Sequence, residues 1–254
     1  MTTIYLIRHG QASFGQKNYD QLSKNGELQA EVLGQYLKQL LNEQPYVVAG
    51  AMQRHQHTAQ LAVAQCFPDV DIQTNADWNE FNHEQIFAQY DVRFSQPELI
   101  KQELQNAENA EVYLTEVFNA AMQRWTGGEY HHEYEESWPS FKQRINQALI
   151  TLLEDLARHK PRYALVFTSG GVISSLVGQL LELSLAKTFD LSWAIANASM
   201  TTLKMSHEQM IDVADQAKLL SLNEHHFLKA DALNAETLMD KNLRAEDVEL
   251  LTWM

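Results

Sequence analysis

Short apolar runs, separated by polar turns and amphipathic stretches, predict the strands of this chain. Three runs of β-branched, aromatic and aliphatic residues have the length and composition of buried strands. They are 4–7 (Ile-Tyr-Leu-Ile), 46–49 (Tyr-Val-Val-Ala) and 163–167 (Tyr-Ala-Leu-Val-Phe). Weaker patterns predict further strands at 70–73, 197–205 and 216–222.

Helical spacing of apolar residues follows most of these runs. One helix is predicted to begin at Ser23, a good N-cap residue, and others are ended by Pro68 and Pro161. The predicted helices cover 23–42, 54–67, 138–158 and 172–183. Alternating strands and helices predict an α/β fold with three layers: a mostly parallel central sheet with helices on both faces.

The segment at about 82–138 has a different composition. It is rich in Glu, Gln, Asn and aromatic residues, with helical stretches at 97–106 and 112–125. We therefore expect a single domain, 1–254, that carries a helical insertion covering the site and setting substrate choice. The acidic residues 231–254 are expected to form a loose C-terminal helix or an extension.

Charge and hydropathy limit the classes of partner. The formal net charge of -14 over 254 residues argues against nucleic acid or an anionic membrane as the main partner. An anionic substrate remains compatible, because a pocket can be locally basic inside an acidic protein. No apolar run approaches the roughly 18 residues that span a membrane, and no signal-peptide pattern is visible at the N-terminus. The expected location is the cytoplasm.

Three predicted strand ends carry glycine and polar side chains. Arg8-His9-Gly10 follows the first strong strand, Arg54 comes soon after the second, and Ser169-Gly170-Gly171 follows the third. In a doubly wound sheet these turns lie along one edge, where ligands bind. Two guanidinium groups, an imidazole and the N–H groups of a helix start suit an oxyanion or a phosphate. Glu80, after a further strand-like run, is a candidate general acid and base.

At this point the sequence resembles a known family. Leu6-Ile7-Arg8-His9-Gly10-Gln11 is similar to the signature of the histidine phosphatase superfamily, which includes the phosphoglycerate mutases. The first motif alone is weak, but the ordered set is specific and covers most of the chain outside the insertion. The later matching motifs are Leu22-Ser23-Lys24-Asn25-Gly26, Gln29-Ala30, Arg54 with Thr58-Ala59, Glu80, Glu136-Ser137 with Phe141 and Arg144, Gly170-Gly171-Val172-Ile173, and Asn197-Ala198-Ser199.

The resemblance implies a mechanism and a set of site residues. His9 would attack phosphorus and form a phosphohistidine, and Glu80 would protonate the leaving oxygen and then deprotonate the hydrolytic water. The phosphate-binding residues would be Arg8, Arg54, Ser169 and Gly170. The implied function is a metal-independent phosphatase, without a cofactor, whose partner is a small phosphorylated substrate.

Two departures from the family pattern affect this expectation. Ser169 stands where the family usually has a second histidine that helps to hold the phosphate, and a serine brings no charge and a shorter reach. His55, His57 and His83 are candidates to replace that histidine. The run at 49–52, Ala-Gly-Ala-Met, stands where the family tends to have serine and proline. Both a weakened and a specialised phosphate pocket are compatible with these changes.

The H-x-H pair His55 and His57 has a second interpretation. Such a pair suggests a metal site, but on a helix positions i and i+2 point to different faces. The spacing therefore favours solvated surface residues.

Three alternatives to a phosphatase remain open at this stage. A phosphoglycerate mutase-type phosphotransferase is less favoured, because 11–15 (Gln-Ala-Ser-Phe-Gly) lacks the Trp-Asn of the cofactor-dependent mutases. In a second alternative, the protein is a catalytically impaired phospho-ligand binder, and Ser169 in place of the usual histidine marks the decay of the catalytic site. A third alternative is an interaction protein that binds its partner through the acidic insertion.

Overall fold

Six strands and eight α-helices are present in the residues that the computed structural model describes, namely 1–13, 20–106, 108–205, 217–229 and 250–253. The strands are β1 (Thr2–Arg8), β2 (Tyr46–Ala49), β3 (Ile72–Thr74), β4 (Tyr163–Thr168), β5 (Met200–Met205) and β6 (Ala217–Glu224). The helices are α1 (Lys24–Leu40), α2 (Gln53–Cys66), α3 (His83–Tyr90), α4 (Pro97–Asn106), α5 (Ala110–Thr126), α6 (Trp138–His159), α7 (Gly170–Leu180) and α8 (Leu185–Ala194).

All six strands form one sheet in the order β3-β2-β4-β1-β5-β6. β3, β2, β4 and β1 are parallel to one another, whereas β5 pairs antiparallel with β1 and β6 antiparallel with β5. The parallel strands all end at one edge of the sheet, so the turns that follow them lie near each other. The α/β fold with a mostly parallel central sheet, predicted from the sequence, is confirmed.

The sheet is buried on both faces, as parallel sheets usually are. Alternate residues point to opposite sides of a strand, so one face carries Ile7, Val47 and Phe167, which belong to a core cluster with residues of α1 and α2. The opposite face carries Leu6 and Val166, which are also fully buried. Helical layers on both faces therefore hold rigid the strand ends that carry the polar residues.

Local signals in the sequence place several element ends correctly. Ser23 is the N-cap of α1 and accepts a hydrogen bond from the N–H of Gly26 at 3.0 Å. The polar run before Glu80 is not a strand: Ala76–Trp78 form one 3-10 turn capped by Asn75. The predicted extension at 231–254 falls outside the described residues, apart from 250–253, which are neither helix nor strand.

The chain divides into two compact units, Met1–Glu80 with Ile145–Met254, and Phe81–Arg144. The sheet lies in the first unit. In the second, the helices expected at 97–106 and 112–125 are present as α4 and α5, and α3 is an additional helix that the sequence pattern did not predict. An aromatic cluster forms the interior of this unit, with the fully buried Trp125 ring packed on Phe81, Trp138 and Phe141.

Candidate active site

The ends of β1 and β4 bring two of the predicted residues together. The last paired residues of these neighbouring strands are Arg8 and Thr168, so His9 and Ser169 leave the sheet side by side. The His9 N–H donates to the carbonyl oxygen of Thr168 at 2.9 Å, which fixes the turn. β2 lies on the other side of β4 and delivers Gly50, and then α2, to the same edge.

The imidazole of His9 is buried and held in one orientation. Its Nδ1 lies 2.7 Å from the carbonyl oxygen of Gly10. A carbonyl oxygen can only accept, so these contacts assign the proton to Nδ1 and leave a lone pair on Nε2. The Nε of Arg54 donates to Nε2 at 3.2 Å, in agreement with that tautomer. Nε2 is therefore the ring atom available for nucleophilic attack.

The surroundings of His9 keep its ring neutral. Burial lowers the pKa of His9 well below its usual value, and the positive charges of Arg54 and Arg8 lower it further, with a smaller contribution from His55. A neutral imidazole retains its lone pair at physiological pH and can act as a nucleophile.

The backbone of His9 is held from the opposite side by the turn before β5. Its carbonyl oxygen accepts from the N–H of Ala198 at 3.2 Å and from the Asn197 side-chain amide at 3.3 Å. The hydroxyl of Thr252 donates to the side-chain Oδ1 of Asn197 at 2.9 Å. Ala198 adopts a φ of 55°, a left-handed conformation that alanine rarely takes. These hydrogen bonds fix the backbone of His9 and so restrict the position of its imidazole.

Arg54 is buried, and its guanidinium contacts both His9 and Asp20. While its Nε contacts His9, its Nη1 forms an ion pair with Asp20 Oδ1 at 2.7 Å. The second carboxylate oxygen of Asp20 accepts from the N–H of Gln53, the first residue of α2, at 2.8 Å. The carboxylate of Asp20 therefore contacts the Arg54 guanidinium and a backbone N–H at the start of α2. These are two groups that can also bind an anion.

Arg8 is the last residue of β1 and directly precedes His9. Its Nη1 donates to the carbonyl oxygen of Ile195 and, at 2.7 Å, to that of Trp253. A Cβ on Gly170 would lie 3.5 Å from Arg8 Nε, so the guanidinium passes close to the start of α7. Residues 250–253 therefore help to orient one of the two predicted phosphate-binding arginines.

Glu80 reaches the same helix start. Its Oε2 accepts from the N–H of Gly171 at 2.9 Å, and the backbone of the preceding turn is tied to β4 because the Thr168 hydroxyl donates to the Trp78 carbonyl oxygen at 2.5 Å. The expectation that Gly171 presents a free N–H to an anion is wrong, because Glu80 occupies that donor. The bond instead fixes the carboxylate beside the turn that carries Ser169.

The prediction for His55 as a solvated helix residue is wrong. Its side chain is fully buried, with Nε2 2.6 Å from the Ser169 hydroxyl oxygen and its ring centroid 5.6 Å from that of His9. His55 and His57 lie on different faces of α2, as their spacing indicates, but the spacing alone does not indicate which face is buried. The helix turns His55 inward, towards the site.

The other two candidate histidines have different surroundings from His55. His57 is only partly buried on α2 and lines a groove of about 470 Å³ with glutamine side chains such as Gln53 and Gln56. His83 begins α3 in the second unit, where its ring lies against Phe87.

Sequence reasoning missed two residues of this site as functional groups. Asp20 lies in a polar loop without a motif, so no local signal marked it. Asn197 was part of the family resemblance, but its contact with the His9 carbonyl oxygen depends on the chain returning through β5. His55 carried a signal that could have been used, since it shares a helical stripe with the buried Ala59 and Ala62.

The groups at this edge suit displacement at an oxyanion centre. They are a neutral imidazole with its lone pair on Nε2, two guanidinium groups, a fixed carboxylate and a serine hydroxyl. In the described part of the chain, no cluster of three or more His, Cys, Asp or Glu is arranged to hold a metal ion.

The sequence profile of the histidine phosphatase superfamily (branch 1) matches residues 4–214. The chain belongs to this superfamily. The matched range contains the turns after β1, β2 and β4 and therefore the pocket around His9. A search of curated protein sequences gave no significant match.

Solved structures with a similar fold include phosphatases and a phosphoglycerate mutase. A phosphoserine phosphatase from Entamoeba histolytica, in complex with phosphoserine, superposes with a TM-score of 0.60 and 17% identity over 90% of this chain and 100% of that chain. Phosphoglycerate mutase from Bacillus anthracis gives a TM-score of 0.59 and 18% identity over 89% and 94%. The α-ribazole phosphatase of Shigella flexneri gives 0.55 and 17% over 88% and 96%. At these identities the likeness establishes the histidine phosphatase fold.

None of the helices in the described ranges is long and apolar enough to cross a membrane.

Proposed function

We propose that this histidine phosphatase superfamily member is a metal-independent phosphatase, which hydrolyses small phosphomonoesters through a phosphohistidine at His9. The observation that carries the proposal is the buried, neutral His9 ring, whose Nε2 lone pair faces Arg54 across 3.2 Å. A lone pair beside a guanidinium is the arrangement that nucleophilic attack on a phosphoryl group requires.

In the first step, the phosphoryl group binds between Arg54, Arg8 and the start of α7 at Ser169 and Gly170. His9 Nε2 attacks phosphorus, the bond from phosphorus to the ester oxygen breaks, and protonated Glu80 gives its proton to that oxygen. The arginines stabilise the charge that spreads over the phosphoryl oxygens in the transition state. The products of this step are the free alcohol and phosphohistidine.

In the second step, water hydrolyses the phosphohistidine. Glu80, now a carboxylate, takes a proton from a water molecule as its oxygen attacks phosphorus. The bond between phosphorus and Nε2 breaks, orthophosphate leaves, and both His9 and Glu80 return to their starting protonation states. The Gly171 N–H, which holds Glu80 Oε2 at 2.9 Å, keeps this carboxyl in one place through both steps.

The two arginines support the proposed independence from metal, because they supply positive charge. Arg54 and Arg8 are fixed cations whose donor forks match phosphoryl oxygens. With the helix start, they supply the stabilisation that a divalent cation gives in other phosphatases.

Small substrates are supported by the complexes of structurally similar proteins. Solved structures with this fold contain phosphoserine or 3-phosphoglyceric acid, both small phosphorylated acids. The negative charge of the chain as a whole is no obstacle, because the arginines make the pocket locally basic.

The proposal is tested with p-nitrophenyl phosphate in the presence of EDTA. Wild-type protein should release phosphate, and His9→Ala, purified in the same way, should not. His57→Ala is the matched control, because His57 makes no hydrogen bond or ring contact with His9 or Ser169 in the described residues. Equal release by wild type and His9→Ala would contradict the proposal, and retained orthophosphate affinity in both proteins would then identify a phospho-ligand binder.

A further inference from the structure

A second buried histidine lies beside the nucleophile and is not used by the steps above. His55 is fully buried, its Nε2 is 2.6 Å from the Ser169 hydroxyl oxygen, and its ring centroid is 5.6 Å from that of His9. Ser169 is the N-cap of α7, but its hydroxyl makes no capping bond to the helix backbone. The hydroxyl is turned towards His55 instead, which a purely structural N-cap serine would not require.

The surroundings of His55 decide which ring nitrogen carries the proton. Nδ1 is buried and has no hydrogen-bond partner in the described residues. It lies against Gly50, where an added Cβ would be only 2.2 Å from it. An N–H at Nδ1 would point into that backbone and be left unsatisfied, whereas a bare lone pair costs less. The proton therefore belongs on Nε2, which donates to Ser169.

The direction of this bond determines what the serine can do. With its oxygen accepting from His55, Ser169 keeps its own O–H as a donor, and no acceptor for that proton is present among the residues that the structure describes. Ser169 follows β4 next to His9, which follows β1. The unused donor is therefore next to the group that would carry the phosphoryl.

We infer that His55 is a positioning residue that orients the Ser169 hydroxyl to donate to a phosphoryl oxygen bound at His9. This inference rests on the proposed function for its ligand, a phosphomonoester or orthophosphate. The pair takes the place of a single histidine after β4 by combining a histidine on α2 with a short hydroxyl. Gly50 is the third part of the arrangement, because its missing side chain leaves room for the His55 ring.

The pair adds a neutral donor and not a third cation. Burial lowers the pKa of His55 well below its usual value, and Arg54 lowers it further, so the ring is neutral. A neutral hydrogen bond contributes less than a charge-assisted one. We expect the loss of the oriented hydroxyl to cost about tenfold in kcat/KM and a similar factor in orthophosphate affinity.

The test is a double-mutant cycle on Ser169→Ala and His55→Phe, with two readouts: kcat/KM for p-nitrophenyl phosphate, and orthophosphate affinity by calorimetry. Each single variant should lose about tenfold in both, and the double variant should be no worse than either single one. His55→Gln keeps an N–H donor at similar reach and should retain most of the affinity. His57→Phe, on the same helix but outside the pocket, should behave as wild type.

Other outcomes separate this inference from the proposed function. Effects of the two substitutions that multiply, or an orthophosphate affinity unchanged in all variants, would overturn the role of His55. If wild type lacked turnover but bound orthophosphate through both residues, the proposed function would fail while the inference stood. Gly50→Ala, which crowds His55, should reproduce His55→Phe, and melting temperatures identify any variant that fails to fold.

Discussion

Arg54 Nε donates to the Nε2 atom of His9 across 3.2 Å, so the cation contacts the lone pair that the proposed mechanism uses. The same guanidinium pairs with Asp20 through Nη1 at 2.7 Å. In the unliganded protein, Arg54 therefore orients the nucleophile while a carboxylate balances its charge. In the proposed mechanism, an entering phosphoryl group replaces Asp20 as the partner of Arg54, and the lone pair of His9 then attacks phosphorus.

Replacing Arg54 by lysine tests this arrangement. A lysine keeps the charge but lacks the planar fork that contacts His9 and Asp20 together. We expect kcat/KM for p-nitrophenyl phosphate to fall by about 100-fold or more, as on removal of a key transition-state donor. Arg158→Lys, at an exposed arginine on α6, is the control. An equal loss of kcat/KM in the two variants would show that the Arg54 guanidinium does not contribute to the reaction.

In the proposed mechanism, Asp20 competes with the phosphoryl group for Arg54. We expect Asp20→Asn to tighten product inhibition by orthophosphate about threefold to tenfold, because a carboxylate that partly neutralises Arg54 is replaced by a neutral amide. The inhibition constant is measured from steady-state rates at several orthophosphate concentrations. Unchanged or weaker inhibition would mean that Asp20 does not compete with orthophosphate for Arg54.

The two buried histidines make the stability depend on pH. His9 and His55 both have pKa values well below the usual one, so they stay neutral in the folded protein while the unfolded chain binds protons near pH 6.5. Stability is fully present above that pH and is lost as the pH falls. Between about pH 7.5 and about pH 5.5, each contributes a loss of about 1.4 kcal/mol in the free energy of unfolding.

Urea unfolding at several pH values checks this expectation. His55→Gln should remove about half of the pH-dependent loss that the two histidines cause. Gln60→Ala, a change at an exposed residue of the same helix that does not titrate, should leave the pH dependence as in wild type. A free energy of unfolding that does not decrease towards acid pH would show that the buried rings are not held neutral.

Glu80 has separate roles in the two steps, and Glu80→Gln separates them. p-Nitrophenolate leaves without protonation, so phosphorylation of His9 should proceed, whereas attack by water loses its base. We expect a burst of p-nitrophenolate equal to the enzyme concentration, followed by a steady rate about 100-fold below wild type. Stopped-flow absorbance measures both phases. A normal steady rate would remove Glu80 from the second step.

The strands and turns on which the site residues lie could largely be predicted from local sequence. β1, β2 and β4 are uninterrupted apolar runs, which only a buried strand explains well, and the glycine and polar residues after them mark the turns at the ligand edge. The N-cap at Ser23 has a local signal of the same kind. α8 was not predicted because it buries little: Thr188 is its only buried residue, and Trp193 on it is exposed.

Contacts between distant parts of the chain could not be predicted in this way. The inward direction of His55 depends on how α2 lies against the sheet, and the sequence states only that His55 and His57 diverge. The ion pair of Asp20 with Arg54 joins a loop without a motif to a helix. Trp253 contacts Arg8 across almost the whole chain length, which no local pattern records. Such long-range contacts define the electrostatics of the site, while local patterns define its frame.

The central claim is that His9 carries the phosphoryl group during turnover. The most direct measurement is rapid acid-free quenching of Glu80→Gln after mixing with radiolabelled phosphomonoester, followed by peptide mapping. The account predicts a stoichiometric label that is stable to alkali, labile to acid, and located on the peptide that contains His9. A turning-over enzyme without label on that peptide, or with label on another residue, would contradict it.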